Sequence, residues 1–284
     1  LMAMEWLSDT TAGDYGQQSE YLDYNVRMAN VTPTIDGTLS EGEWEDDSKI
    51  VTLVYPDLVE APQVGTVVHL GDLTQLQPDD ISGYFYYKWD SDYLYVGFEV
   101  VDDSFIAPSA SGGYPDDHVL FGFDPDVNNT VQDETLVFEM FRDDTGTTET
   151  VIYWNDGGQL VLDNSVFASS LQGSNWQYEA ALKWNEITGD SGYVPAAGDT
   201  YGEAVLICDN DSDDDARDVF LMDAGSGTTG VMTEPALWHN VTLTSGLSCG
   251  DNGYVGADLD LDCGVNLVDF AMLADGWLEC TDPQ

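Results

Sequence analysis

Positive charge is what this sequence has least of. Six Lys and Arg stand against 54 Asp and Glu in 284 residues, a formal net charge of −48. A chain so negative is repelled by phosphate backbones and by anionic membrane faces, which excludes nucleic acid and charged bilayers as electrostatic partners. Histidine is scarce too. With only His69, His118 and His239, a Ser–His–Asp triad has few possible bases, and no His-Glu-x-x-His zinc motif occurs. No apolar run nears the ~18 residues that a membrane-spanning helix needs. The four cysteines, Cys208, Cys249, Cys263 and Cys280, include no Cys-x-x-Cys pair, so that zinc and redox spacing is absent.

What is present argues for a folded β protein. Hydrophobic residues make up 43% and aromatics 12%, far more than an acidic disordered chain carries. The acid is mostly Asp, 39 against 15 Glu. Asp is a poor helix former that favours turns and hard-cation loops. Three of the four cysteines fall within residues 249–284. Four cysteines allow three pairings, and spacing does not choose among them. Their crowding fits a small stapled module in an oxidising compartment, so the expected location is extracellular, secreted or cell-surface associated.

Residues 84–89 and 93–101 are aromatic, β-branched runs joined by Asp90-Ser91-Asp92, the pattern of a hairpin. Leu94, Val96, Phe98 and Val100 alternate with Tyr93, Tyr95, Gly97 and Glu99, which puts the first set on a core face. Residues 49–55, 118–123, 135–141, 150–154, 176–184, 203–208, 219–222 and 238–243 are further strand candidates separated by Gly- and Asp-rich turns. Many short strands with such turns predict an all-β, antiparallel β-sandwich of jelly-roll or immunoglobulin-like type. The divisions are an N-terminal extension over 1–30, the sandwich over 31–244, a linker over 245–248 and a small C-terminal module over 249–284. The Tyr- and Asp-rich extension could add as a strand to a neighbour's sheet edge.

The C-terminal module carries the most specific motif. Asp258, Asp260, Asp262, Asn266 and Asp269 fall at positions 1, 3, 5, 9 and 12 of a twelve-residue loop, and the Gly264 carbonyl falls at position 7. This is the EF-hand order of Ca2+ ligands, with Asp in place of the usual Glu at position 12. Phe270, Leu273, Ala274 and Trp277 then lie at helical spacing, so a loop–helix unit is expected. An acidic turn capping a helix is the plainer alternative. With Val265 and the flanking Cys249-Gly250-Asp251, Cys280 and Asp282-Pro283, the module resembles a dockerin-like tail of secreted bacterial proteins. It has a single loop–helix instead of a duplicated pair, and Cys263 instead of Gly at position 6. The resemblance implies calcium binding and a docking or attachment role.

Several phrases of the large domain follow one another in order. They are Pro33-Thr34-Ile35-Asp36-Gly37 with Glu43-Trp44, and Lys88-Trp89-Asp90-Ser91-Asp92-Tyr93-Leu94-Tyr95-Val96 with Val101-Asp102-Asp103. Asp117-x-Val119, Phe123-Asp124-Pro125-Asp126 and Tyr178-Glu179-Ala180-Ala181-Leu182 follow. Together they resemble a family 9 carbohydrate-binding module, among the wider DOMON-like sandwiches. The resemblance implies a non-catalytic domain that binds sugars and often calcium.

Sugar sites stack aromatic rings on pyranose faces and surround them with carboxylates and amides. Trp154, followed by Asn155 and Asp156, is the leading platform candidate, then Trp176 and Tyr84. Trp44, Trp89 and Trp184 are assigned to core packing. Two further acidic clusters offer alternate oxygens, Asp124, Asp126 and Asn128, and Asp209, Asp211 and Asp213. Each is open to reading as a cation site or as a solvated turn. Gly225-x-Gly227-x-x-Gly230 is followed by no βαβ pattern, and Gly246-x-Ser248-x-Gly250 lies in the linker, so neither supports nucleotide binding or a nucleophile elbow.

Two functions remain. One is a secreted, non-catalytic, calcium-stabilised carbohydrate-binding protein with an attachment tail, its partners a polysaccharide or glycan and a surface-anchoring protein. The other is a structural subunit of an extracellular filament, sheath or surface assembly, its partners identical copies of itself.

Overall fold

The computed structural model describes residues 23–44, 49–54, 68–71, 81–106, 117–125, 135–142, 148–154, 159–211, 219–223 and 238–245. The chain divides into two compact units, residues 1–244 and 245–284. Beyond Ser245 the second unit lies outside the described residues, and with it the expected calcium loop, its helix and three of the four cysteines.

The first unit is built of strands. They are β1 (Asp23–Met28), β2 (Lys49–Val54), β3 (Val68–Gly71), β4 (Ile81–Trp89), β5 (Tyr93–Asp102), β6 (His118–Asp124) and β7 (Leu136–Arg142). After them come β8 (Thr148–Trp154), β9 (Gln159–Leu160), β10 (Val166–Gln172), β11 (Asn175–Lys183), β12 (Thr200–Asp209), β13 (Val219–Asp223) and β14 (His239–Thr244). Among the described residues the one helix is a single turn, α1 (Trp184–Ile187). No helix there is long and apolar enough to cross a membrane.

All fourteen strands join in one hydrogen-bonded sheet, in the order β10-β11-β5-β4-β1-β14-β12-β6-β7-β8-β9, with β2 on β4, β13 on β12 and β3 on β13. The sheet curls so that its two halves face each other across one core. Phe98 of β5 meets Phe121 of β6 at 6.3 Å between ring centroids, and Tyr87 of β4 meets Phe121 at 5.9 Å. Near opposite ends of the strand order, Thr148 Oγ1 and Ser169 Oγ share a 2.7 Å hydrogen bond. The core face of β5 is as expected, with Leu94, Val96, Phe98 and Val100 fully buried in this core; of the other face, expected outside, Tyr95 and Gly97 are buried as well, beneath Leu39 and Trp44.

The link between the halves departs from the expected all-antiparallel sandwich. β1 pairs in parallel with both β14 and β4. Part of the 1–30 extension is therefore a strand of this sheet, with Tyr24 and Val26 buried in the core. The Trp89 indole N–H spans the junction, donating to Val26 O at 3.0 Å and to Thr244 O at 2.9 Å.

Candidate metal and ligand sites

Among the carboxylates buried by this fold, two sites are assembled from elements distant in sequence. The first lies where three strands end. Asp102 closes β5 on its core face, Asp209 closes β12, and Asp117 immediately precedes β6. Antiparallel pairing of β12 with β6 sets Cys208 opposite His118, which brings Asp209 and Asp117 to the same end. The three are buried, with carboxylate oxygens within 4.8 Å of one another. Asp103 and Asp211, neither of them buried, form a second such triad that shares Asp102.

Backbone and ring donors hold these carboxylates in place. The Ser104 N–H donates to Asp102 Oδ1 at 2.6 Å, and the Trp176 indole N–H to Oδ2 at 3.2 Å. The Asn210 N–H donates to Asp117 Oδ1 at 2.8 Å, and the Ile106 N–H to Oδ2. These donors do not offset the confinement. Burial, with Asp211 nearby, pushes the Asp102 carboxyl up to about 7. Burial, with Asp102 and Asp209 nearby, pushes Asp117 up to about 9. Like charges crowded in low dielectric must protonate or take up a cation. A set made only of hard oxygens suits Ca2+.

The second site is a single buried carboxylate, Glu179, on the outer face of β11. It accepts from the Asp36, Gly37 and Thr38 N–H groups at 2.9, 2.6 and 3.0 Å, and from the Trp44 indole N–H at 2.8 Å. Burial raises its pKa, and these donors offset only part of that rise. Gly37 has φ +90°, and a Cβ there would come 2.6 Å from the Ser169 carbonyl carbon, so the close approach to β10 requires glycine. The clasp lays Leu39 and Trp44 over Gly97 of β5, where a Cβ would meet them at 2.7 and 3.3 Å. This accounts for the Ile35-Asp36-Gly37 and Glu43-Trp44 phrases as structural.

The expected sugar platforms separate. Trp176 is fully buried among Phe105 and Tyr178. A ring with no exposed face cannot stack on a sugar, so that assignment is corrected to core packing and support of Asp102. Trp44, Trp89 and Trp184 are buried, as expected. Trp154 stands opposite Leu136 at the end of β8, while Asn155 and Asp156 lie outside the described residues. Tyr84 is half-buried on the outer face of β4, directly opposite Glu99.

Of the weaker cation candidates, Asp209 and Asp211 join the Asp102 cluster, whereas Asp213 lies outside the described residues. Asp124 is buried opposite Gly202, and Asp126 and Asn128 lie outside the described residues. Cys208 is buried in β12 and forms no disulfide among the described residues. The acidic spacings in the sequence do not single out Asp102, Asp103 and Asp117 as cation ligands. The signal was present, since the core-face alternation of β5 runs on into Asp102.

Comparison with known proteins bears on what such a sheet is used for. The family model "Carbohydrate family 9 binding domain-like" matches residues 58–246, about two thirds of the chain. Among solved structures, the chain resembles a family 9 carbohydrate-binding module from Caldicellulosiruptor kristjanssonii in complex with cellotriose. The TM-score is 0.56 at 18% identity, covering 82% of this chain and 98% of that one. A glucose complex of a family 9 module from the same organism gives 0.55 at 17% identity, covering 79% and 97%. Among curated proteins none matches significantly.

Proposed function

The chain belongs to the carbohydrate family 9 binding domain-like family, and from that premise we propose that it is a non-catalytic, calcium-stabilised carbohydrate-binding protein acting outside the cell. The family match over residues 58–246 carries the reading. The solved relatives hold cellotriose and glucose, so a neutral β-glucan is the first ligand class to consider for this chain. Its charge of −48 favours a neutral glycan over a uronate or sulfated one.

Calcium enters through Asp102, Asp117 and Asp209, with Asp103 and Asp211 toward solvent. A bound Ca2+ would supply positive charge that lets these carboxylates ionise, and it would hold together the ends of β5, β6 and β12. The C-terminal loop from Asp258 to Asp269 is a further calcium site and, by its dockerin-like pattern, the attachment element.

The test is titration calorimetry of the full chain against a panel of neutral oligosaccharides that includes cellotriose, with calcium and again with a chelator. Binding to at least one neutral glycan is expected, together with a higher melting temperature in calcium. Absence of affinity across the panel would overturn the carbohydrate assignment. A melt indifferent to chelation would overturn the calcium assignment.

A further inference from the structure

The outer face of β4, β5 and β11 is fully covered at one place and only partly covered at another. Tyr95, Gly97, Glu179 and Ala181 are buried where Leu39 and Trp44 lie across them. One step along the strands, a row of three side chains is only half-buried. Tyr84 of β4 stands opposite Glu99 of β5, and Glu99 stands opposite Gln177 of β11. Neighbouring strands are about 4.8 Å apart, so the row spans about 10 Å, the scale of a pyranose ring with its hydroxyls.

We infer that this row is a subsite for a neutral pyranoside, with Tyr84 as the ring platform and Glu99 and Gln177 as the polar pair. The inference rests on the carbohydrate-binding reading above and adds to it a place on the sheet.

Three features carry it. The composition is an aromatic ring, a carboxylate and an amide at directly opposed positions of three neighbouring strands, which is what stacking on C–H faces and bonding of paired hydroxyls require. The contacts within the row are long. Gln177 Nε2–H reaches Glu99 Oε1 at 3.4 Å, and the Tyr86 hydroxyl reaches Oε2 at 3.5 Å. Good bonds to a carboxylate are about 2.7–2.9 Å, so Glu99 retains accepting capacity for sugar hydroxyls. The pair is also pre-set. The Leu39 N–H donates to Gln177 Oε1 at 3.1 Å, which turns the amide NH2 toward Glu99 and leaves its second N–H to donate. The loop that orders Gln177 is the one clasped by Glu179. Glu99 also sets the sign of the selectivity, because its negative charge disfavours an acidic sugar at this position.

The experiment compares wild type with Y84A, Y84F, E99Q and Q177A by calorimetry against the same neutral panel in calcium, with melting curves to confirm folding. E99Q and Q177A are each expected to weaken the best-bound glycan at least tenfold. Y84A is expected to lose binding, and Y84F, which keeps the ring, to retain most of it. If Y84A fails to fold, E99Q and Q177A decide. Wild-type binding that survives both unchanged overturns the subsite and leaves the carbohydrate reading intact. A wild type that binds no neutral glycan overturns both.

Discussion

At two of the places where it buries carboxylates, the protein manages them in opposite ways. Glu179 sits among four N–H donors from one loop and one indole. Asp102, Asp117 and Asp209 sit against one another at the ends of three strands. In a chain with six Lys and Arg, ion pairs are not available to neutralise every buried acid. The comparison shows the two remaining solutions. Dipoles of the backbone can solvate one charge from within, and the result is a closed, self-sufficient joint. Three charges exceed what local dipoles offer, so that joint is completed from outside, by protons or by a cation.

The sharpest way to break this distinction is to remove the acceptor of the closed joint. Glu179→Ala strands four donors beneath Leu39 and Trp44, and unsatisfied buried donors cost about 1–3 kcal/mol each before relaxation. A loss of about 4 kcal/mol in urea unfolding is expected, the same with and without calcium. A calcium-dependent loss would erase the contrast.

Asp117→Asn tests the open joint, and its effect should reverse sign. Without calcium Asp117, pushed up to about 9, is held protonated near pH 8 at a cost to folding that Asn does not bear, so the substitution should stabilise by about 1–2 kcal/mol after the loss of one acceptor for the Ile106 or Asn210 N–H. With calcium it deletes a ligand and should destabilise by a similar amount. The pH dependence follows from the same groups. Asp102 at about 7 and Asp117 at about 9 lie above their ordinary value, so the folded state binds more protons than the unfolded state. Chelated protein should therefore lose stability as pH rises from about 4 through 9, and saturating calcium should flatten that slope. Thermal melts across pH, with and without chelator, measure both.

The smallest of these effects concerns the clasp's approach to β10. Gly37→Ala adds a Cβ against the Ser169 backbone at positive φ, and a loss of about 1–2 kcal/mol is expected. No loss in chemical unfolding would show that the loop lies farther from β10.

Much of the sheet was legible because β4 and β5 are aromatic, β-branched runs joined by an Asp-Ser-Asp turn and because the apolar residues of β5 alternate. β10 was not, since Val166–Gln172 is an edge strand with Ala168, Ser169 and Ser170 at its centre and no residue fully buried. β1 was hidden for another reason: its partners, β14 and β4, lie far along the chain, and parallel pairing leaves no hairpin turn as a signal. The Asp102–Asp117–Asp209 cluster was hidden likewise, because no local spacing joins the ends of three strands. Trp176 was a misreading that the residues themselves could have corrected. It shares its face of β11 with Tyr178, Ala180 and Leu182, an apolar alternation that marks the core side.

The parallel contact of β1 with β14 also has a mechanical consequence. Asp23 aligns with Asn240 and Arg27 with Thr244, so the chain enters the pair at one end and leaves it at the other. Traction applied between Asp23 and Thr244 pulls the two strands lengthwise past each other. The five aligned residue pairs then share the load at once instead of parting one by one. The Trp89 indole, bonded to both strands, pins them at the exit. Tension along the chain, as in holding a polymer against flow, meets this domain in shear, the direction in which a strand pair resists rupture best.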